Sequence, residues 1–136
     1  MLSIENLEVK YGNTVALNDF SLTIKKGEIY SLIGPSGCGK STLLKVLCGI
    51  IRNYSGQIAF NGEAFTPRGV SIGYVPQHYG LLEWKTVEEN IFLSYKLNST
   101  KVLREAEVSE IINSLEINDI QNRYPSQLSG GQKQRV

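Results

Sequence analysis

Residues 34 to 41 carry the clearest chemistry in this sequence. Gly34-Pro35-Ser36-Gly37-Cys38-Gly39-Lys40-Ser41 fits G-x-x-x-x-G-K-[ST] without deviation. Phosphate oxygens need several backbone N–H donors converging on one point. Gly34, Gly37 and Gly39 let the backbone approach closely and take positive φ. A helix beginning near Lys40 adds unpaired N–H groups and the positive end of its dipole. Lys40 supplies a mobile cation for the β- and γ-phosphates. The Ser41 hydroxyl suits Mg²⁺, and Thr42 adds a phosphate contact. Cys38 contributes its N–H, its small side chain merely fitting, and Pro35 and Ser36 complete the turn. The bland alternative is a glycine-rich turn followed by an accidental Lys-Ser. Four specified positions make that coincidence rarer than about 1% over this length. Such a loop binds a nucleoside triphosphate but does not name the machine.

A second constellation lies near the end of the sequence. In Ser129-Gly130-Gly131-Gln132, Ser129 and Gln132 have the spacing of a capping box, so a helix should begin after Ser129. The Ser129 hydroxyl and the N–H groups of Gly130 and Gly131 would then form another anion-binding end. Read alone, the same residues are a plain cap on a surface helix. The sequence stops at Val136, about one and a half turns into that helix. So short a helix is marginal alone, and the chain reads as a truncated one.

The elements that must position these groups are legible in part. Leu2 and Ile4, then Leu7, Val9 and Tyr11, alternate with polar residues, with a phase slip near Asn6 that suggests a bulge. Gly12-Asn13 signals a turn. Phe20, Leu22 and Ile24 alternate again up to Lys25-Lys26-Gly27. Two half-buried antiparallel strands are predicted. Ile29, Tyr30, Leu32 and Ile33 form a near-continuous apolar run, which predicts a strand buried on both faces of a parallel sheet. Ser41 to Cys48 reads as a helix stopped by Gly49. Gln57 to Phe60 is a strand before the hairpin signal Asn61-Gly62, and Ile72 to Val75 is another, stopped by Pro76. Thr86-Val87-Glu88-Glu89 is a capping box that starts a helix running to about Leu97. Leu103, Ala106, Ile111, Ile112 and Leu115 give a helical stripe.

Composition bounds the class. The 136 residues are one domain's worth of chain, 41% apolar, with 14 basic and 13 acidic residues and a net charge of +1. That size supports a real core and argues against disorder. The charge balance gives no electrostatic case for nucleic acid or an acidic membrane. No apolar run approaches the roughly 18 residues of a spanning helix, and Met1 leads into Leu2-Ser3-Ile4-Glu5 with no signal peptide pattern. Cys38 and Cys48 make no disulfide framework, which points to a reducing compartment.

Leu128-Ser129-Gly130-Gly131-Gln132, about 90 residues after the phosphate loop, resembles the signature pentapeptide of ATP-binding cassette (ABC) proteins. The chain looks like the first half to two-thirds of an ABC transporter ATPase domain, and the likeness covers essentially all of it. The resemblance implies an α/β fold. A P-loop NTPase (RecA-like) core would carry an N-terminal antiparallel β subdomain and the start of an α-helical subdomain. The expected divisions are 1–27, 28–77 and 78–136. It implies ATP and Mg²⁺ as cofactors. It also implies a head-to-tail dimer, in which Ser129, Gly130, Gly131 and Gln132 cap the γ-phosphate held by the partner's phosphate loop, far from Lys40 of the same chain.

Three further positions follow from the resemblance. Tyr11, 29 residues before Lys40, stands where the family places an aromatic that stacks on adenine; a strand-end core tyrosine is the alternative. Gln77, after Tyr74-Val75-Pro76, is similar to the Q-loop glutamine that contacts Mg²⁺ and the attacking water and links the site to the membrane partner; a polar loop residue is the alternative. Leu81 to Ile91 resembles the segment that receives a permease's coupling helix, most like that of importers for nitrate, sulfonates, taurine and pyrimidine precursors. Those proteins usually have Pro where Glu83 stands. Trp84 also fits a core or lid aromatic. His78 precedes the signature, so it is not the family's switch histidine and reads as a solvated loop residue.

The implied whole is a peripheral ATP-hydrolysing subunit on the cytoplasmic face of a membrane. It would work with transmembrane permease subunits and, indirectly, a solute-binding protein, with no nucleic acid partner. The family's Walker B strand, catalytic glutamate and switch histidine follow the signature. They are not in this sequence, so the chain by itself is expected to be hydrolytically silent. Two other readings remain open at this stage: a non-hydrolysing ATP-binding module or remnant, and an ABC ATPase not tied to transport.

Overall fold

The computed structural model describes residues 1–97 and 105–136 and divides into two compact units, Met1–Tyr74 and Val75–Val136. Leu103 of the predicted stripe lies outside the described residues.

The first unit is built on a four-stranded antiparallel sheet of order β2-β1-β3-β4, with β1 (Leu2–Tyr11), β2 (Thr14–Ile24), β3 (Ser55–Phe60) and β4 (Glu63–Ala64). β1 pairs with β2 through the turn at Gly12-Asn13 and with β3 from across the unit. The predicted slip near Asn6 is a bulge. Asn6 has φ 49, the register shifts between Ile4 and Leu7, and Asn6 Nδ2 donates to Asp19 Oδ1 at 2.5 Å. The shift turns Ile4, Leu7 and Val9 to one face despite their uneven spacing. That face is covered by α1 (Lys40–Leu47), whose Leu43 and Val46 pack with Ile4, Leu7, Val9, Leu17 and Ile58 into one core. Spacing of three on α1 brings Leu43 and Val46 to the same side.

The second unit holds α2 (Val87–Ile91), α3 (Leu93–Leu97), α4 (Glu105–Ser114) and α5 (Gly130–Arg135). Its core gathers Val87, Ile112, Ile117, Ile120 and Leu128. Both predicted capping boxes are formed. Thr86 and Glu89 close one at the start of α2, and Ser129 and Gln132 close the other at the start of α5.

Several expectations are corrected. Ile29 to Ile33 is not a buried strand: the segment is irregular, with Ile29 97% and Ile33 94% exposed. Ile72 to Val75 is likewise irregular, and Val75 is exposed. A parallel strand exists only through ladder bonds to neighbours, and among the described residues nothing pairs with either segment. The helix expected up to Leu97 is two helices, because Phe92 takes φ −85, ψ 1. This tightens the turn into an i→i+3 bond from Tyr95 N–H to the Phe92 carbonyl, 3.2 Å. On α4 the inward face runs through Val108 and Ile112 to Leu115, while Ala106 and Ile111 face outward.

Candidate functional site

The phosphate loop leads directly into α1, with Gly39 as its N-cap residue at φ 94, ψ 0. No acidic residue occupies the first turn of α1, so nothing there opposes an incoming anion. Gly39 is required twice over. Its φ is left-handed, and a Cβ there would meet the Ala16 carbonyl oxygen and Leu17 Cδ2 at 2.5 Å each. The close approach presses the loop onto β2. A Cβ on Gly34 would meet Cys38 Sγ at 2.7 Å, so the loop folds back on itself there too.

Lys40 stretches back across the loop. Its Nζ donates to the carbonyls of Gly34 and Pro35, both at 2.7 Å, with Cys38 Sγ at 3.4 Å. The ammonium is thus held at the loop by acceptors alone. Among the described residues no carboxylate pairs with it. Ser41 is exposed, Thr42 is half-buried, and neither side chain has a partner among the described residues. An apolar cavity of about 130 Å³, lined by Leu17, Phe20, Leu43 and neighbours, lies against Gly39 and Lys40. It is too small and too apolar to be the phosphate site itself.

Tyr11 ends β1 and is half-exposed, opposite Thr14 across the hairpin. The strand that Gly39 touches at Ala16 and Leu17 is the one that pairs with Tyr11 and Val9. One sheet therefore carries both the tyrosine and the support for the phosphate loop. Tyr30 lies exposed nearby in sequence, its hydroxyl donating to Glu28 Oε2 at 2.9 Å. That bond to the carboxylate holds the phenol above its ordinary range.

In the second unit Gln77 and His78 are exposed, and their side chains have no partners among the described residues. At Ser129 the cap is complete. Ser129 Oγ accepts from Gln132 N–H at 3.3 Å, and Gln132 Oε1 accepts from Ser129 N–H at 3.0 Å. Gly130 and Gly131 are exposed beside it.

Two residues do structural work that the sequence reading did not assign. Tyr79, at φ 31, places its hydroxyl where a Cβ on Gly130 would lie only 3.3 Å away. The segment after Gln77 and the signature therefore adjoin within the second unit. Asn90 ties the Leu81–Ile91 segment together. Its Oδ1 accepts from Leu82 N–H at 2.8 Å, and its Nδ2 donates to the carbonyls of Leu82, Lys85 and Thr86. An asparagine four residues after a helix cap was the available signal. Trp84 is exposed rather than buried in a core, and Glu83 lies 3.9 Å from Lys133 Nζ.

The loop, its lysine and the helix behind it define a phosphate-loop nucleotide-binding protein. The profile of the ABC transporter family matches residues 17–136, and the chain belongs to that family. It is 43% identical over 124 residues to an aliphatic sulfonates import ATP-binding protein of Bacillus subtilis, covering 91% of this chain and 48% of the relative. It is 38% identical over 143 aligned positions to a sulfate/thiosulfate import ATP-binding protein of Bradyrhizobium diazoefficiens, covering 99% of this chain and 42% of the relative. Among solved structures it is similar to the dimeric, post-hydrolysis structure of an ATP-binding cassette bound to ADP and Pi. There the TM-score is 0.81 at 29% identity, covering 99% of this chain and 66% of that one. The chain spans about half the length of the curated relatives it matches. The α/β cassette fold is thereby established, and family membership carries nucleotide binding with it. No helix among the described residues is long and apolar enough to cross a membrane.

Proposed function

We propose that this chain supplies the nucleotide-gripping part of an ABC import ATPase that couples ATP binding and hydrolysis to uptake of a small anion. The observation that carries this reading is Lys40 held over the phosphate loop by the Gly34 and Pro35 carbonyls at the start of α1. From that position its ammonium would exchange the two carbonyls for phosphate oxygens, a charge-assisted exchange. Loop N–H groups from Ser36 to Ser41, running into the N-terminal turn of α1, hold the phosphates. Tyr11 presents a half-exposed ring for adenine.

Mg²⁺ fits the donors available. Ser41 Oγ, in the first turn of α1, is a neutral oxygen ligand without a partner among the described residues. Mg²⁺ would neutralise charge between the β- and γ-phosphates. Ser41 would hold it, and a role for Gln77 toward Mg²⁺ and the attacking water is supported by its resemblance to the Q-loop glutamine.

Ser129 to Gln132 face the nucleotide of a second cassette in this proposal, and the Leu81–Ile91 segment meets a membrane permease subunit. The chain then works peripherally, on the cytoplasmic side. The import direction and the sulfur-oxyanion cargo class are supported by the names of the relatives. A solute-binding protein would deliver the cargo to the permease.

The test is ATP-driven uptake of sulfate or an alkanesulfonate into proteoliposomes holding the full-length protein with its permease. Uptake that requires Lys40 supports the reading. Normal uptake by Lys40→Met would overturn it.

A further inference from the structure

A second, larger cavity of about 420 Å³ opens in the first unit, away from the loop's residues. It lies between the C-terminal end of α1, the start of β3 and the turn at Thr66 to Arg68. Gly49 makes it possible. A Cβ there would meet Pro67 at 2.8 Å, so only glycine lets the 66–68 turn come down on the helix end.

The lining has a consistent chemistry. Val46, Ile51 and Pro67 supply apolar surface, and two arginines, Arg52 and Arg68, supply charge. No acidic residue lines the cavity. Arg68 has no hydrogen-bond or ion-pair partner among the described residues, and neither do the side-chain hydroxyls of Tyr54 and Thr66. Arg52 makes one bond, Nε to the Gly49 carbonyl at 3.3 Å, which offsets the negative end of α1 and leaves its terminal nitrogens free. The Cys48 thiol is pushed up by burial, so it stays neutral and does not repel an anion. The charged groups of the lining are therefore both cations, and its hydroxyls can donate, in a cavity of small-molecule size.

We propose that this cavity is a binding site for a small organic anion. Its oxyanion group is held by Arg68 and Arg52, and its apolar body lies on Val46, Ile51 and Pro67. A guanidinium's planar fork matches a carboxylate or sulfonate in two parallel bonds. A ligand seated there bridges the far end of the phosphate-loop helix to the 66–68 turn. It stabilises the folded protein in proportion to its saturation.

The test uses the full-length protein, with benzenesulfonate as probe and inorganic sulfate at equal concentration as the headgroup alone. Binding is read by calorimetry and by protection of Cys48 from alkylation. Saturable benzenesulfonate binding is expected. It should weaken about tenfold or more in Arg68→Gln and persist in Lys40→Met, which separates this site from the phosphate loop. Arg68 is exposed and unpaired, so Arg68→Gln should melt at the parent's temperature. Sulfate binding as tight as benzenesulfonate overturns the assignment of an organic ligand. Absence of binding, binding unchanged in Arg52→Gln/Arg68→Gln, or binding lost in Lys40→Met overturns the site.

Discussion

Lys40 Nζ lies 2.7 Å from the carbonyl oxygen of Gly34, so the lysine that closes the phosphate loop is bonded to the glycine that opens it. A bond of equal length to Pro35 makes the bridge two-pronged. The cation is thereby stationed over the loop, and phosphate oxygens would replace carbonyl oxygens as its acceptors.

Removing that cation should cost nucleotide affinity rather than fold. Lys40→Met is expected to weaken ATP binding roughly ten- to hundredfold, the effect of losing a hydrogen bond to a charged group. Calorimetric titration checks it. Parent-like affinity would place the triphosphate elsewhere.

Gly39 and Gly37 should respond differently to alanine. Both have left-handed φ, 94 and 82, so each substitution is strained by about 1 kcal/mol or more. Only at Gly39 does the new methyl also strike β2, at the Ala16 carbonyl and Leu17. Gly39→Ala should therefore lower the urea midpoint clearly further than Gly37→Ala, where the Cβ meets open space. Equal midpoints would refute the close approach of loop and strand.

Ser129 caps α5 and is proposed to meet a partner's nucleotide, and one pair of variants separates the two. Ser129→Ala removes the cap on α5 and should cost about 1 kcal/mol of stability. Ser129→Asp keeps a capping oxygen but sets a negative charge where a partner's γ-phosphate is proposed to sit. It should fold as well as the parent and fail to dimerise with ATP, measured by light scattering. ATP-dependent dimers of Ser129→Asp would remove the signature from the nucleotide interface.

Glu89 gives the second unit an acid limit. Its carboxyl is held below the ordinary range, first by the bond from Thr86 N–H at 3.0 Å and then by Lys85 at 3.4 Å. A carboxyl depressed in the folded state contributes stability that is present above its unfolded pKa and lost as pH falls through the folded one. The start of α2 should therefore loosen below the ordinary glutamate range, about pH 4.3, and hydrogen exchange at Val87 to Glu89 should report it. Glu89→Gln, which leaves no carboxyl to titrate, should show less change there on acidification. An unchanged acid response in that variant would exclude the box as its source.

Local chemistry was readable from sequence wherever a few neighbouring residues satisfy one another. Thr86 with Glu89 and Ser129 with Gln132 form their boxes from residues three apart. The slip at Asn6 is a bulge and Asn61-Gly62 a hairpin, because turn and bulge conformations are limited to a few residue types. Lys40, Ser41 and the loop glycines were legible for the same reason.

Contacts between distant segments were settled only by the tertiary structure. The apolar pattern of Ile29 to Ile33 states that the segment can be buried, not what buries it. With no pairing strand among the described residues it stays irregular and exposed. The pairing of β1 with β3, the approach of Tyr79 to Gly130 and the Arg52–Arg68 cavity carry no local signal. Each joins residues that meet only once the chain has closed a long loop, and periodicity along the chain holds no information about that partner.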